Sequence, residues 1–91
     1  MKKQKKYTLG SWITIGHPSI VEVMSLNNFD WLCIDTEHTV IDYFEIQQLL
    51  TIMDAKNIFS YVRVSENNPS VIKRVLDAGA KGIIVPLLNT K

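Results

Sequence analysis

Short β-rich runs alternating with amphipathic helical segments predict an α/β protein on a parallel sheet, and three observations carry that expectation. Strand-like and helix-like patterns take turns from Leu9 onward in the order β-α-β-α-β-α-β, which implies right-handed crossovers between parallel strands. Trp31-Leu32-Cys33-Ile34 is apolar at consecutive positions, as a strand buried on both faces requires. Each helical stripe also begins at a capping signal.

Residues 11–15 (Ser, Trp, Ile, Thr, Ile) read as the first strand, stopped by Gly16-His17-Pro18. Ser19 with Glu22 forms a capping box that starts the first helix, and Asn27-Asn28 ends it. The second strand, residues 31–34, stops at Asp35-Thr36-Glu37-His38, too polar to continue inside a core. Asp42 with Glu45 is a second capping box, behind which Ile46, Leu49, Leu50 and Met53 fall on one helical stripe. Asn57 closes that helix, and residues 58–64 form the third strand, ending near Arg63. Asn68-Pro69 opens a third helix, with proline where its missing N–H is harmless. Ile72, Val75 and Leu76 are expected to face inward, Gly79 to supply a left-handed C-cap, and residues 82–88 to form the fourth strand.

Composition narrows the function classes. The chain has 91 residues, 46% hydrophobic and 21% charged, which suits one small globular unit and excludes a disordered chain. At this length about 60 to 65% of the extended surface is buried, so an independent fold is marginal. The single cysteine, Cys33, cannot form an internal disulfide, and two histidines with one cysteine give no cluster at zinc spacing. A reduced, cytoplasmic chain is expected. The net charge of +1 hides an asymmetry: Lys2, Lys3, Lys5 and Lys6 stand at the start, leaving six basic against nine acidic residues. Residues 1–8 are therefore expected to be a basic, flexible terminus, and residues 9–91 the domain. No apolar leader core follows the lysines, and residues 82–88 are too short to span a bilayer. Without aromatic interleaving the lysines do not argue for nucleic acid.

Two architectures fit the pattern, a small open α/β sheet or the first half of a (β/α)8 barrel. The turn after the first strand has neither a G-x-G-x-x-G pattern nor a P-loop lysine, which argues against nucleotide binding. Both architectures place function at the C-terminal strand ends: His17, then Asp35-Thr36-Glu37-His38, then Arg63, then Asn89. A histidine flanked by carboxylates can take a proton near neutral pH, and an arginine on the next strand offers a planar fork to a carboxylate or enolate oxygen. That set suits proton abstraction around a carbonyl of a small anion. His17 also reads as a plain turn residue, and Cys33, between Leu32 and Ile34, as core packing.

These residues resemble the HpcH/HpaI aldolases, the class II, metal-dependent pyruvate aldolases of the 2,4-dihydroxyhept-2-ene-1,7-dioate aldolase type. The resemblance rests on Gly10-Ser11-Trp12, Phe29-Asp30-Trp31, Ile34-Asp35-Thr36-Glu37-His38, Val62-Arg63-Val64, Asn67-Asn68-Pro69, Leu76-Asp77-Ala78-Gly79-Ala80 and Ile84-Val85-Pro86, in family order. It implies a (β/α)8 barrel, usually a homo-oligomer, that cleaves or forms a carbon–carbon bond next to pyruvate in a small 2-keto acid. By the same resemblance His38 is the base, Arg63 binds pyruvate and its enolate, Asp77 raises the basicity of the histidine, and Asp35 supports the site. The helical spacing places Asp77 at the far end of the third helix, away from the catalytic face, so the two readings diverge there. The family's Mg²⁺ or Mn²⁺ is held by a glutamate and an aspartate on later strands, so its ligands are expected beyond residue 91, and the isolated chain to be inactive. The chain then reads as four β/α units of a longer aldolase, or else as a non-catalytic remnant or half-barrel that assembles through uncovered strands.

Overall fold

A computed structural model describes residues 7–86. The basic residues Lys2, Lys3, Lys5 and Lys6, the distal part of the expected fourth strand (Leu87, Leu88) and Asn89 lie outside the described residues. The elements run β1 (Gly10–Ile13), α1 (Pro18–Met24), a 3-10 turn (Ser25–Asn27), β2 (Trp31–Asp35), α2 (Tyr43–Ala55), β3 (Phe59–Arg63), α3 (Pro69–Asp77) and β4 (Gly82–Ile84). All strand pairs are parallel in the order β1-β2-β3-β4, as the alternating pattern predicts. Among the described residues no helix is long and apolar enough to cross a membrane.

The caps explain where the helices begin. Asp42 and Glu45 form the expected reciprocal box at α2, with Asp42 Oδ1 accepting from Glu45 N and Glu45 Oε1 from Asp42 N, each at 2.9 Å. Asn68 caps α3, its Oδ1 accepting from Ser70 N at 2.9 Å, with Pro69 as the first helical residue. At α1 the expectation is corrected. The cap is His17, whose Nδ1 accepts from Ser19 N at 3.1 Å, and the helix begins at Pro18 rather than at a Ser19–Glu22 box. Proline at the first position commits residue 18 to helical φ and moves the boundary one residue upstream of Ser19. The Ser19 hydroxyl instead lies 2.8 Å from the same His17 nitrogen. Helix ends use positive φ at Asn28 (55°), Asn57 (58°) and Gly79 (117°), the last where a side chain would be strained.

The register separates two faces of the sheet. Ile13, Leu32, Ile34 and Val62 join the buried core with Val21, Ile46, Leu49, Leu50, Met53 and Val75 from the helices. The Ile46, Leu49, Leu50, Met53 stripe is buried as expected. Leu76 is not: it is 45% exposed, because it lies at the edge of a stripe centred on Ile72 and Val75. The opposite face carries Trp12, then Trp31, Cys33 and Asp35, then Phe59, Tyr61 and Arg63. It is aromatic at the N-terminal end, where Trp31 meets Tyr61 edge to face at 5.7 Å between centroids and Phe59 packs on Tyr61 at 5.0 Å. It turns polar at the C-terminal end.

Candidate active site

The end of β2 and the loop after it form a tight turn around one carboxylate. Asp35 Oδ1 accepts from the backbone N–H groups of Glu37 at 2.9 Å and His38 at 3.3 Å. Thr39 Oγ1 donates to the carbonyl of Asp35, and Thr36 Oγ1 donates to the carbonyl of Arg63 at 2.6 Å. The turn is thus stitched to its own strand and to β3. Buried polar groups must be satisfied, and these bonds let Asp35 sit at 5% exposure as a carboxylate.

Arg63 stands opposite Asp35 in the β2–β3 register. Its Nη2 donates to Asp35 Oδ2 at 2.8 Å and its Nε to Asp35 Oδ1 at 3.2 Å, a fork-to-fork pair. Glu37 Oε1 lies 3.3 Å from the same Nε and 3.7 Å from His38 Nε2. The Arg63 hydrogen bond, helped by the Glu37 and His38 amides, holds the Asp35 carboxyl below its ordinary value against the opposing effect of burial. The same bond pushes the guanidinium further up, so both stay charged. Nη1 of Arg63 meets no acceptor among the described residues, so one donor edge of the fork is committed and the other is open.

The structure brings Asp35, Arg63 and the backbone of His38 together, with the His38 side chain 70% exposed at the rim. Asp77 stands apart, at the C-terminal end of α3, where it pairs with Lys73 at 3.0 Å and is 64% exposed. His17 is a helix cap. Cys33 is fully buried, and desolvation pushes its thiol up to about 12. Sequence reasoning marks Glu37 only as a carboxylate flanking His38 and gives Trp12 no role at the site. Glu37 bridges Arg63 and His38, and Trp12 lies under Arg63 with the guanidinium carbon 4.5 Å from the ring centroid. Period-two alternation puts Trp12 in phase with Gly10, but only the strand register reveals what it meets.

A concavity of about 550 Å³ between Thr8, Asp30, Trp31, Phe59, Tyr61 and Ile84 belongs to the aromatic part of the open face and is lined by none of Asp35, Glu37, His38 or Arg63. The donor set does not fit a metal: among the described residues no three His, Cys, Asp or Glu side chains converge on a point, and Asp35 and Glu37 already face Arg63.

The family model for HpcH/HpaI aldolase/citrate lyase matches residues 8–91. A 2-dehydro-3,6-dideoxy-6-sulfogluconate aldolase of Pseudomonas putida is 32% identical over 89 residues, which cover 98% of this chain and 35% of that enzyme. A 5-keto-4-deoxy-D-glucarate aldolase of Klebsiella pneumoniae is 35% identical over 82 residues, covering 90% and 32%. The solved citrate synthase SbnG superposes with a TM-score of 0.84 at 36% identity, over 89% of this chain and 33% of its own. The chain therefore spans about a third of the length of the curated relatives it matches.

Proposed function

The chain belongs to the HpcH/HpaI aldolase/citrate lyase family, its fold is part of a (β/α)8 barrel, and from that premise we propose that it forms the enolate-handling portion of a carbon–carbon lyase acting on a 2-keto-4-hydroxy acid. The observation that carries the reading is the divided guanidinium of Arg63: one edge is locked to Asp35 and the other is left for an anionic oxygen at the C-terminal end of the sheet. Barrel enzymes place their chemistry at that end.

In this reading the substrate carboxylate and its neighbouring C2 oxygen take the open edge of Arg63. His38 accepts the proton of the C4 hydroxyl, the C3–C4 bond breaks, and its electron pair moves toward C2 to leave an enolate and a free aldehyde. Protonation of C3 then gives pyruvate. Arg63 stabilises the charge that develops on the enolate oxygen, where a fixed cation is most effective. Glu37, 3.7 Å from His38 Nε2, is placed to favour the imidazolium that forms. Asp77 is placed by the resemblance as the group that raises histidine basicity, and its site on α3 supports no contact with His38 within this chain. The family's divalent metal is proposed to draw its glutamate and aspartate ligands from beyond residue 91, and no step above is routed through it. Synthesis in the reverse sense uses the same enolate. The complete enzyme is proposed to be a cytoplasmic homo-oligomer, and the 91 residues alone to show no retro-aldol turnover.

The test joins residues 1–91 to the remaining two-thirds of the Klebsiella relative and follows pyruvate release from 5-keto-4-deoxy-D-glucarate with Mg²⁺. His38→Ala is expected to lower kcat by about 10²- to 10⁴-fold, the usual share of a general base. Arg63→Lys is expected to raise KM at least about tenfold, since a point charge cannot reproduce the fork. An active chimera indifferent to both substitutions would remove this reading.

A further inference from the structure

We infer that Trp12 is a positioning residue for Arg63: its indole is the platform that fixes the plane of the guanidinium and so aims the open donor edge, a role that rests on the function proposed above. The register gives the reason. Trp12 pairs with Cys33 on β2, and Arg63 on β3 pairs with Asp35, two residues further along β2 on the same face. Neighbouring strands lie about 4.8 Å apart, so Arg63 reaches Trp12 only by lying across β2. It does so, bonding Asp35 on β2 while its guanidinium carbon sits 4.5 Å from the Trp12 centroid on β1. Cys33, the residue it crosses, has a small side chain that leaves room for the passage.

The Asp35 pair alone does not determine where the open edge points. A fork-to-fork pair fixes an edge of the guanidinium, and the pair as a unit can still swing about the carboxylate axis. A ring against the flat face removes that freedom, and the cation over the ring is itself attractive. The contacts act on different parts of one group: Asp35 and Glu37 hold its Nε-side edge, and Trp12 sets its tilt. Trp12 is 40% exposed and absent from the helix-side core cluster, so packing of that core does not account for an indole there.

The chain contains two arginines, Arg63 and Arg74, which makes the test direct. Arg74 stacks on Tyr43 at 4.3 Å and serves as an internal control. In the ¹⁵N-labelled 91-residue chain the Arg63 Nε–H resonance is expected to carry a ring-current shift that Trp12→Leu abolishes and Trp12→Phe largely keeps, with Arg74 unmoved by either. Titration with sodium pyruvate is expected to move the Arg63 signal, with apparent affinity about three- to tenfold weaker in Trp12→Leu and restored in Trp12→Phe. Equal Arg63 shifts and equal pyruvate affinity in wild type and Trp12→Leu overturn the inference. If pyruvate moves Arg63 in no variant, the enolate-site reading fails while the ring-current comparison still decides the positioning. If Trp12→Leu does not fold, Trp12→Phe decides: an Arg63 signal that keeps most of its ring-current shift, with pyruvate affinity kept, supports the platform, and an Arg63 signal with no ring-current shift in the wild type refutes it.

Discussion

Asp35 is one carboxylate with three tasks: it receives two amides of its own turn, anchors Arg63 and ends β2. Because its folded value is lowered, it contributes stability above the ordinary value of 3.8, and that contribution is lost as pH falls through the folded value. Urea midpoints measured from pH 7 downward should therefore drop below about pH 4, and Asp35→Asn should lower the neutral plateau and flatten that drop. An unchanged acid limb in the variant would assign the drop to other carboxylates. Cys33 has the opposite sign. Its raised value means that stability is full below 9.0 and is lost as pH rises toward about 12, because the unfolded chain ionises first. Cys33→Ala should remove that alkaline loss, and a thiol reagent at pH 8 should react with the wild type only at the rate of unfolding. Asp35 and Arg63 were legible in sequence because opposite charges at neighbouring strand ends stand out against apolar runs. The contacts of Trp12 and Glu37 were not, since what they touch depends on register and on the folding of the 36–41 loop, and neither follows from local pattern.

At the scale of elements, helix starts were legible wherever a side chain of the usual capping types precedes the stripe, as at Asp42 and Asn68. The miss at α1 is informative because two starts compete within three residues, and Pro18 decides for the earlier one, leaving an imidazole nitrogen to do the work of a carboxylate or hydroxyl. His17→Ala should cost about 1 kcal/mol of stability, the usual loss of a cap, and His17→Asn should recover it, measured by thermal or urea melts. A larger loss from Ser19→Ala than from His17→Ala would return the cap to Ser19. Sheet packing supplies a sharper case. A Cβ on Gly10 would lie 1.9 Å from the Trp31 ring, so the first glycine of β1 exists to admit an aromatic side chain from the adjacent strand. Gly10→Ala should destabilise by about 1 to 3 kcal/mol and shift Trp31 fluorescence, because the ring must leave its place over β1. The alternation of strand and helix predicted the sheet order, and no local pattern in β1 announces this close approach.

For the molecule as a whole, the asymmetry between the two sheet faces governs behaviour. A parallel sheet normally has both faces covered. Here helices cover one face, while the other presents Trp12 at 40% and Phe59 at 45% exposure beside Trp31 and Tyr61. In a (β/α)8 barrel that face points inward and is filled by the remaining strands. Among the described residues no strand pairs with the outer edges of β1 and β4, Trp12 and Phe59 are exposed, and apolar surface next to an open strand edge favours association. The chain should therefore enhance the emission of a hydrophobic dye, and its sedimentation coefficient should rise with concentration in the micromolar range. Phe59→Ser should weaken both effects with little change in the helical far-UV signal, because Phe59 lies on the open face and takes no part in the helix-side core. A chain that sediments as a monomer at every concentration, with no dye response, would show that its open face is covered in solution by some other part of its own sequence.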